Sequence, residues 1–164
     1  EVKRAIKEIA FAVKNNVERQ ERGLGNIQKS GVHIVLTGNP GTGKTTIARK
    51  LGEILSAIGY LESGHVVEVD RSQMVSMYQG ETPKLVDRLC NKAKGGILFV
   101  DEAYTLAPIN STGERDQQGA QALEKLMKRM EDNRGDFVVV LAGYRIEMDN
   151  LFRVNPGFRS RFNY

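Results

Sequence analysis

Two short stretches of this chain carry residue types at spacings that do chemistry. Residues 38–45 read Gly-Asn-Pro-Gly-Thr-Gly-Lys-Thr, glycines at fixed steps followed by a lysine and a hydroxyl. This is the G-x-x-x-x-G-K-[ST] spelling of a phosphate-binding loop. Its glycines free the backbone to turn successive N–H groups into one concavity, and the helix that follows adds the positive end of its dipole. Lys44 would reach the β- and γ-phosphates as a mobile cation, and the Thr45 hydroxyl would ligate Mg²⁺. The expected contact set is Gly38, Asn39, Pro40, Gly41, Thr42, Gly43, Lys44, Thr45 and Thr46. The second stretch is Ile97-Leu98-Phe99-Val100, an apolar run that ends in Asp101-Glu102. Asp101 would hold Mg²⁺ through its water shell. Glu102 would orient and deprotonate an attacking water while Mg²⁺ and Lys44 offset charge on the γ-phosphate. The chemistry expected is binding and hydrolysis of a nucleoside triphosphate, with ATP and Mg²⁺ as the cofactors. Metabolic kinases share the loop but need a pocket for a small acceptor, and nothing in the sequence marks one.

Positioning these groups requires strands that end beside one another. Val32 to Thr37 is a β-branched apolar run ahead of the loop. Ile47, Leu51, Ile54, Leu55 and Ile58 keep helical spacing behind it, and Gly59 closes that helix. Val66 to Asp70 reads as a second strand, and Ser72 as the cap of a short helix leading to Met77-Tyr78-Gln79-Gly80. Thr82-Pro83 opens another helix with Leu85, Val86 and Leu89 inward. Gly95-Gly96 precedes the third strand, Pro108 to Gly119 reads as an exposed polar loop, and Gln121 to Met130 as a helix. The fourth strand is Phe137 to Ala142, with a short helix around Met148 to Phe152. Ahead of all this, Val2, Ile6, Ile9, Val13 and Val17 form one face of a helix over residues 1–22, packed on the core, and Gly23 and Gly25 open a connector. Strands and helices alternate and the strands are apolar throughout. An α/β fold with a parallel sheet covered on both faces, a three-layer α-β-α arrangement, follows from that. The expected division is a helix and connector over 1–30 and a nucleotide-binding core over 31–164.

Bulk properties add exclusions. The 164 residues are 40% hydrophobic and 27% charged, with a formal charge of +4. That charge is too mild to argue for nucleic acid on its own. Cys90 stands alone, which excludes an intramolecular disulfide and fits a reducing, cytoplasmic setting. The longest apolar stretch, Phe137 to Ala142, is too short to cross a bilayer, so no membrane partner is expected. No Cys/His spacing suggests a structural metal.

Taken in order, GNPGTGKTT, GGILFVDEAYTL, VVVLAGY and NPGFRSRF resemble the motifs of the AAA+ ATPases over roughly residues 31–163. The branch they are most similar to is CbxX/CfqX, which includes red-type Rubisco activases and ATPases of sporulation and type VII secretion. The resemblance implies the AAA+ large subdomain, with the chain ending before the helical lid. It implies a ring, usually a hexamer, with ATP at subunit interfaces. The box matching NPGFRSRF implies that Arg161 is the arginine finger lent to a neighbour, with Arg159 as the second choice of finger or an auxiliary. Tyr78-Gln79-Gly80 matches the pore loop that grips a polypeptide, although Gln79 replaces the usual hydrophobic residue. Ala142-Gly143-Tyr144 stands where a polar sensor is common, so the resemblance offers Tyr144 as the sensor.

Three functions remain in competition. An ATP-driven remodeller of client proteins leads. A nucleic-acid motor or loader would use the same core, but no Lys/Arg cluster lies near Tyr78. A nucleotide-gated assembly scaffold would not need Glu102 and Arg161.

Overall fold

The computed structural model describes residues 1–23, 31–39, 41–109 and 112–164. The connector containing Gly25, together with Pro40 of the phosphate loop and residues 110–111, lies outside the described residues. In order, the elements are α1 (Val2–Glu21), β1 (Ile34–Thr37), α2 (Lys44–Ala57), β2 (Val66–Val69), α3 (Arg71–Met74), α4 (Glu81–Ala93) and β3 (Ile97–Val100). A 3₁₀ turn (Ala103–Leu106), α5 (Gln117–Asp132), β4 (Val138–Gly143), α6 (Arg145–Val154) and α7 (Pro156–Arg159) follow.

The four strands form one parallel sheet in the order β1-β4-β3-β2. Every residue of β3 and β4 is buried, as the unbroken apolar runs require of central strands covered on both faces. Side chains leave these strands alternately. Leu98, Val100, Val139 and Leu141 join a cluster with α3 to α7. Ile97, Phe99, Val138 and Val140 join the other, with Leu51 and Leu55 of α2 and Ile9 and Val13 of α1. The sheet is thus the middle of three layers, and α1 packs on the core as its apolar face requires.

Three expectations need correction. Asp70, not Ser72, caps α3: its carboxylate accepts from the Ser72 N–H at 2.9 Å while Gln73 reaches back to the Asp70 N–H, a complete capping box. Asp70 therefore belongs to the turn rather than to β2. The polar loop stops at Asp116, since α5 already contains Gln117 to Ala120 and buries Gly119. The tail also folds, into α7, with Pro156 at its first position and Phe158 fully buried. Beyond α7, the Asn163 N–H donates to the His33 carbonyl at 3.1 Å and the Val35 N–H to the Tyr164 carbonyl at 2.9 Å. Both bonds lie on the edge of β1 that β4 does not use.

Candidate active site

All the strands point the same way, so the turns after β1, β3 and β4 meet at their carboxyl ends. A cavity of about 330 Å³ opens there, lined by residues 41–45, Asp101, Glu102, Gly143 and Tyr144. Gly41 and Gly43 hold φ of 74° and 80°, left-handed values that explain glycine at those two steps. Gly38 is tied to β4 by its N–H to the Gly143 carbonyl at 3.2 Å. The Thr42 hydroxyl donates to the Asn39 carbonyl at 2.8 Å and pins the loop across itself. Lys44 lies along the loop, with Nζ donating to the carbonyls of Gly38 at 3.1 Å and Asn39 at 3.0 Å. Thr46, next along α2, is exposed.

Of the expected residues, Gly41, Thr42, Gly43, Lys44, Thr45, Asp101, Glu102 and Tyr144 share the one cavity. Two hard oxygen donors face it, the Thr45 hydroxyl and the Asp101 carboxylate. That donor set fits Mg²⁺, which binds through one or two protein oxygens and completes its shell with phosphate and water. Among the described residues no cluster of three or more His, Cys, Asp or Glu could hold a metal by itself. Glu68 on β2 was not singled out from the sequence, yet its Oε1 accepts from the Thr45 hydroxyl at 3.3 Å. Spending that hydrogen on Glu68 leaves the Thr45 oxygen lone pairs for a cation.

Glu102 carries the clearest mark of function. Its φ of 49° is the sole positive value among the described residues other than glycine. A carboxylate side chain held in this region costs on the order of 1–2 kcal/mol, and such strain concentrates at active sites. The Glu102 N–H donates to Asp101 Oδ1 at 3.0 Å, and its carbonyl accepts from the Thr105 N–H at 3.0 Å and hydroxyl at 2.7 Å. The tight turn holds the Glu102 side chain exposed at the cavity rim. No sequence pattern announces that backbone, since it needs an acid where glycine is the relaxed choice. The Tyr104 ring, also not anticipated, stands 5.8 Å from Tyr144. Burial and then the Glu102 charge push the Tyr104 phenol upward, so it stays neutral.

Arg161 is not in this cavity. It lies at the amino end of the sheet with His33, Glu131 and Arg134. Its Nη1 donates to the Gly157 carbonyl at 2.5 Å, and its Nε stands 3.4 Å from Glu131 Oε1, buried and without a hydrogen bond. Arg159 instead stacks over Phe152 at 5.5 Å and donates to the Phe162 carbonyl. The extended run from His33 to Gly38 puts on the order of 15 Å of strand between the two ends. His33 itself is buried at 5% exposure, and its Nδ1 accepts from the Val139 N–H at 3.0 Å. Burial holds the ring down to about 4, against a smaller upward pull from Glu131, so it is a neutral packing residue and not a ligand.

Tyr78 is 77% exposed and neighbouring Met77 97%, on the loop between α3 and α4. Gly80 ends that loop with φ 79° as the N-cap of α4, and Gln79 is exposed beside it. A buried tyrosine ending a helix is thereby ruled out. Met77 was given no role from the sequence because an isolated methionine reads as core.

The chain is similar to known proteins over nearly its whole length. Over 162 residues it is 44% identical to stage V sporulation protein K of Bacillus subtilis, covering 99% of this chain and 49% of that protein. Protein CbbX of Cereibacter sphaeroides is 45% identical over 160 residues, 98% of this chain and 50% of its own length. The chloroplastic ribulose bisphosphate carboxylase/oxygenase activase of Cyanidioschyzon merolae is 43% identical over 160 residues, 98% of this chain and 53% of its own. The chain therefore spans about half the length of the relatives it matches. The branch expected from the motifs is the one these relatives occupy. Residues 34–163 match the ATPase family associated with various cellular activities (AAA), and the chain belongs to that family.

Proposed function

We propose that this chain is the ATP-hydrolysing core, residues 31–164, of a ring-forming protein remodeller, probed by its exposed loop against a client polypeptide. The observation that carries the reading is the separation of parts. One cavity gathers the phosphate loop, Asp101 and the strained Glu102, while Arg161 sits at the opposite end of the same sheet. An arginine in that position has no route to its own subunit's cavity, and a neighbour in a hexameric ring would receive it instead.

In the proposed reaction the loop N–H groups and Lys44 hold the triphosphate, and Lys44 exchanges the carbonyls of Gly38 and Asn39 for phosphate oxygens. Mg²⁺, held by Thr45 and through water by Asp101, would supply charge neutralisation. Glu102 takes the proton of the attacking water, and Tyr144, which lines the same cavity, would sense the γ-phosphate. Arg161 from the neighbour stabilises transition-state charge, a contribution on the order of 10³-fold or more in related switches. Tyr78 and Met77 suit the client. An aromatic and a soft thioether pack on extended chains of almost any sequence, and Gly80 leaves the loop free to swing. The relatives' names point to different clients, a carboxylase in one case and sporulation in another, so the shared core does not choose the client. Among the described residues no helix is long and apolar enough to cross a membrane.

The test is ATP turnover by the full-length protein across a concentration series, beside Glu102→Gln and Arg161→Ala. Turnover per subunit should rise with concentration and collapse in both variants. Turnover flat with concentration and indifferent to Arg161 would leave a monomeric nucleotide switch as the better reading.

A further inference from the structure

The first turn of α5 is a junction that the reaction as described does not use. Asp116 caps it, accepting from the Gly119 N–H at 2.9 Å, and the same carboxylate accepts from Arg71 Nη1 at 2.5 Å. That nitrogen also donates to the Thr105 carbonyl at 2.6 Å. Thr105 in turn donates its N–H and its hydroxyl to the carbonyl of the strained Glu102. On the other side of the junction, Gln118 Oε1 accepts from the Thr82 hydroxyl at 2.5 Å. The Thr82 oxygen accepts from the Ser76 N–H at 3.0 Å, and Ser76 Oγ accepts from the Tyr78 N–H at 3.1 Å. Hydrogen bonds and one turn of helix thus run continuously from Glu102 to Tyr78.

Two further observations say that this junction is built tightly. A Cβ on Gly119 would come within 2.8 Å of both Asp116 Oδ2 and the Leu106 carbonyl oxygen, and within 3.1 Å of Arg71 Nη1. Only glycine lets the helix start approach so closely, which explains why a residue that reads as a helix breaker sits inside α5. Asp116 and Arg71 are also sheltered, with side chains 16% and 34% exposed, where charge-assisted bonds are strong. Burial alone would raise the Asp116 carboxyl. The Arg71 and Gly119 hydrogen bonds outweigh it and hold the group below the usual carboxylate range.

We propose that Arg71 is a positioning residue that couples the backbone state at Glu102 to the conformation of the Tyr78 loop. This rests on the reading of residues 75–80 as the client-contacting loop. Glu102 occupies a strained left-handed region, so nucleotide that biases its backbone moves the carbonyl to which Thr105 is anchored. Among the described residues Arg71 is the one side chain hydrogen-bonded both to that turn and to the α5 cap, and it also opens α3, whose chain leads directly into the loop. Coupling of this kind is reciprocal, so a polypeptide on Tyr78 shifts nucleotide affinity by the same factor.

The experiment is amide hydrogen exchange at residues 75–80 in the full-length protein, with ADP and with a non-hydrolysable ATP analogue. The proteins compared are wild type, Arg71→Gln and the double variant Arg71→Gln/Asp116→Asn. The double variant leaves no buried unpaired carboxylate, and Asn still caps α5. Wild type should show exchange differing at least about five-fold between nucleotides, the low end of ordinary allosteric coupling. Both variants should lose that difference while residues 38–45 keep theirs and the KM for ATP holds. A difference that persists in the double variant, or is absent from wild type, overturns the proposal. Casein added in parallel separates the two claims. Wild type with the exchange difference but no stimulation of turnover by casein sinks the client reading and leaves the coupling standing.

Discussion

The two ends of the sheet are built to opposite rules. At the carboxyl end the groups for chemistry hang on turns that bond mainly to themselves, as Lys44 and Thr42 do with Asn39, and one residue is strained. At the amino end a single residue fastens three segments. The His33 N–H and carbonyl bracket Asn163, its Nδ1 holds Val139 of β4, and its ring meets the edge of Phe162 at 6.0 Å. Turns bonded mainly to themselves can rearrange around a ligand, whereas Arg161 must be presented from a fixed base to be useful elsewhere. The contrast separates the groups that line the chain's own cavity from the anchored end that carries Arg161. Substitutions in the cavity should therefore damage turnover, and those that unfasten His33 should damage stability.

The largest effects belong to the carboxyl end. Lys44→Ala should abolish measurable nucleotide binding. Glu102→Gln should bind normally and lose on the order of 10²–10⁴-fold in turnover, the usual worth of a general base. Single-turnover hydrolysis against fluorescent-nucleotide binding separates the two. Next comes Arg161→Ala, expected to cost about 10³-fold although it touches nothing in its own cavity. Mixing it with Glu102→Gln breaks or sharpens the polarity argument directly. Each variant supplies what the other lacks, so mixed rings should regain a fraction of wild-type turnover. No recovery, with each parent inactive alone, would mean that Arg161 acts within its own subunit.

A stability effect follows at the amino end. The folded His33 ring titrates at about 4 against an ordinary 6.5, burial being the main cause. Between those values the unfolded chain takes up a proton that the folded chain refuses. The contribution is thus full above pH 6.5 and drains away as pH falls toward 4, by on the order of 3 kcal/mol in total. Denaturant melts at pH 7 and pH 4.5 should show that His33→Asn loses much of the acid sensitivity of wild type. Equal sensitivity in both proteins would remove His33 from the account. Tyr78→Ala, by contrast, should leave both melts untouched.

How much of this was legible follows from how local each signal is. The phosphate loop, β3 and Asp101-Glu102 could be read because glycine spacing and an unbroken apolar run are contiguous. The opening of α5 could not, because Gly119 is inside the helix only on account of Leu106 and Arg71, distant in sequence. Ser72 looked like the cap of α3, but Asp70 two residues earlier had Gln73 at the reciprocal position and so won the turn. Glu68 beside Thr45 and Glu131 beside Arg161 are products of tertiary approach, with no pattern of their own. The acid at Glu102 was readable as chemistry, and its left-handed backbone was not.

That backbone sets up the smallest and most discriminating prediction. Glu102→Gln keeps the Cβ and therefore keeps the strain, so it should change stability little. Glu102→Gly removes the penalty of a left-handed non-glycine residue, on the order of 1–2 kcal/mol, while adding up to about 1 kcal/mol of backbone freedom to the unfolded chain. The net expectation is a gain of about 0.5–1 kcal/mol, a melting midpoint higher by about 1–4 °C for a chain of this size, with hydrolysis lost. Both variants are inactive, so a midpoint that rises in Glu102→Gly alone isolates strain from charge. A rise in both would mean that the cost at this position is electrostatic. A rise in neither would mean that the turn held by Thr105 and Asp101 is relaxed as built, and that the carboxyl end stores no strain for the nucleotide to release.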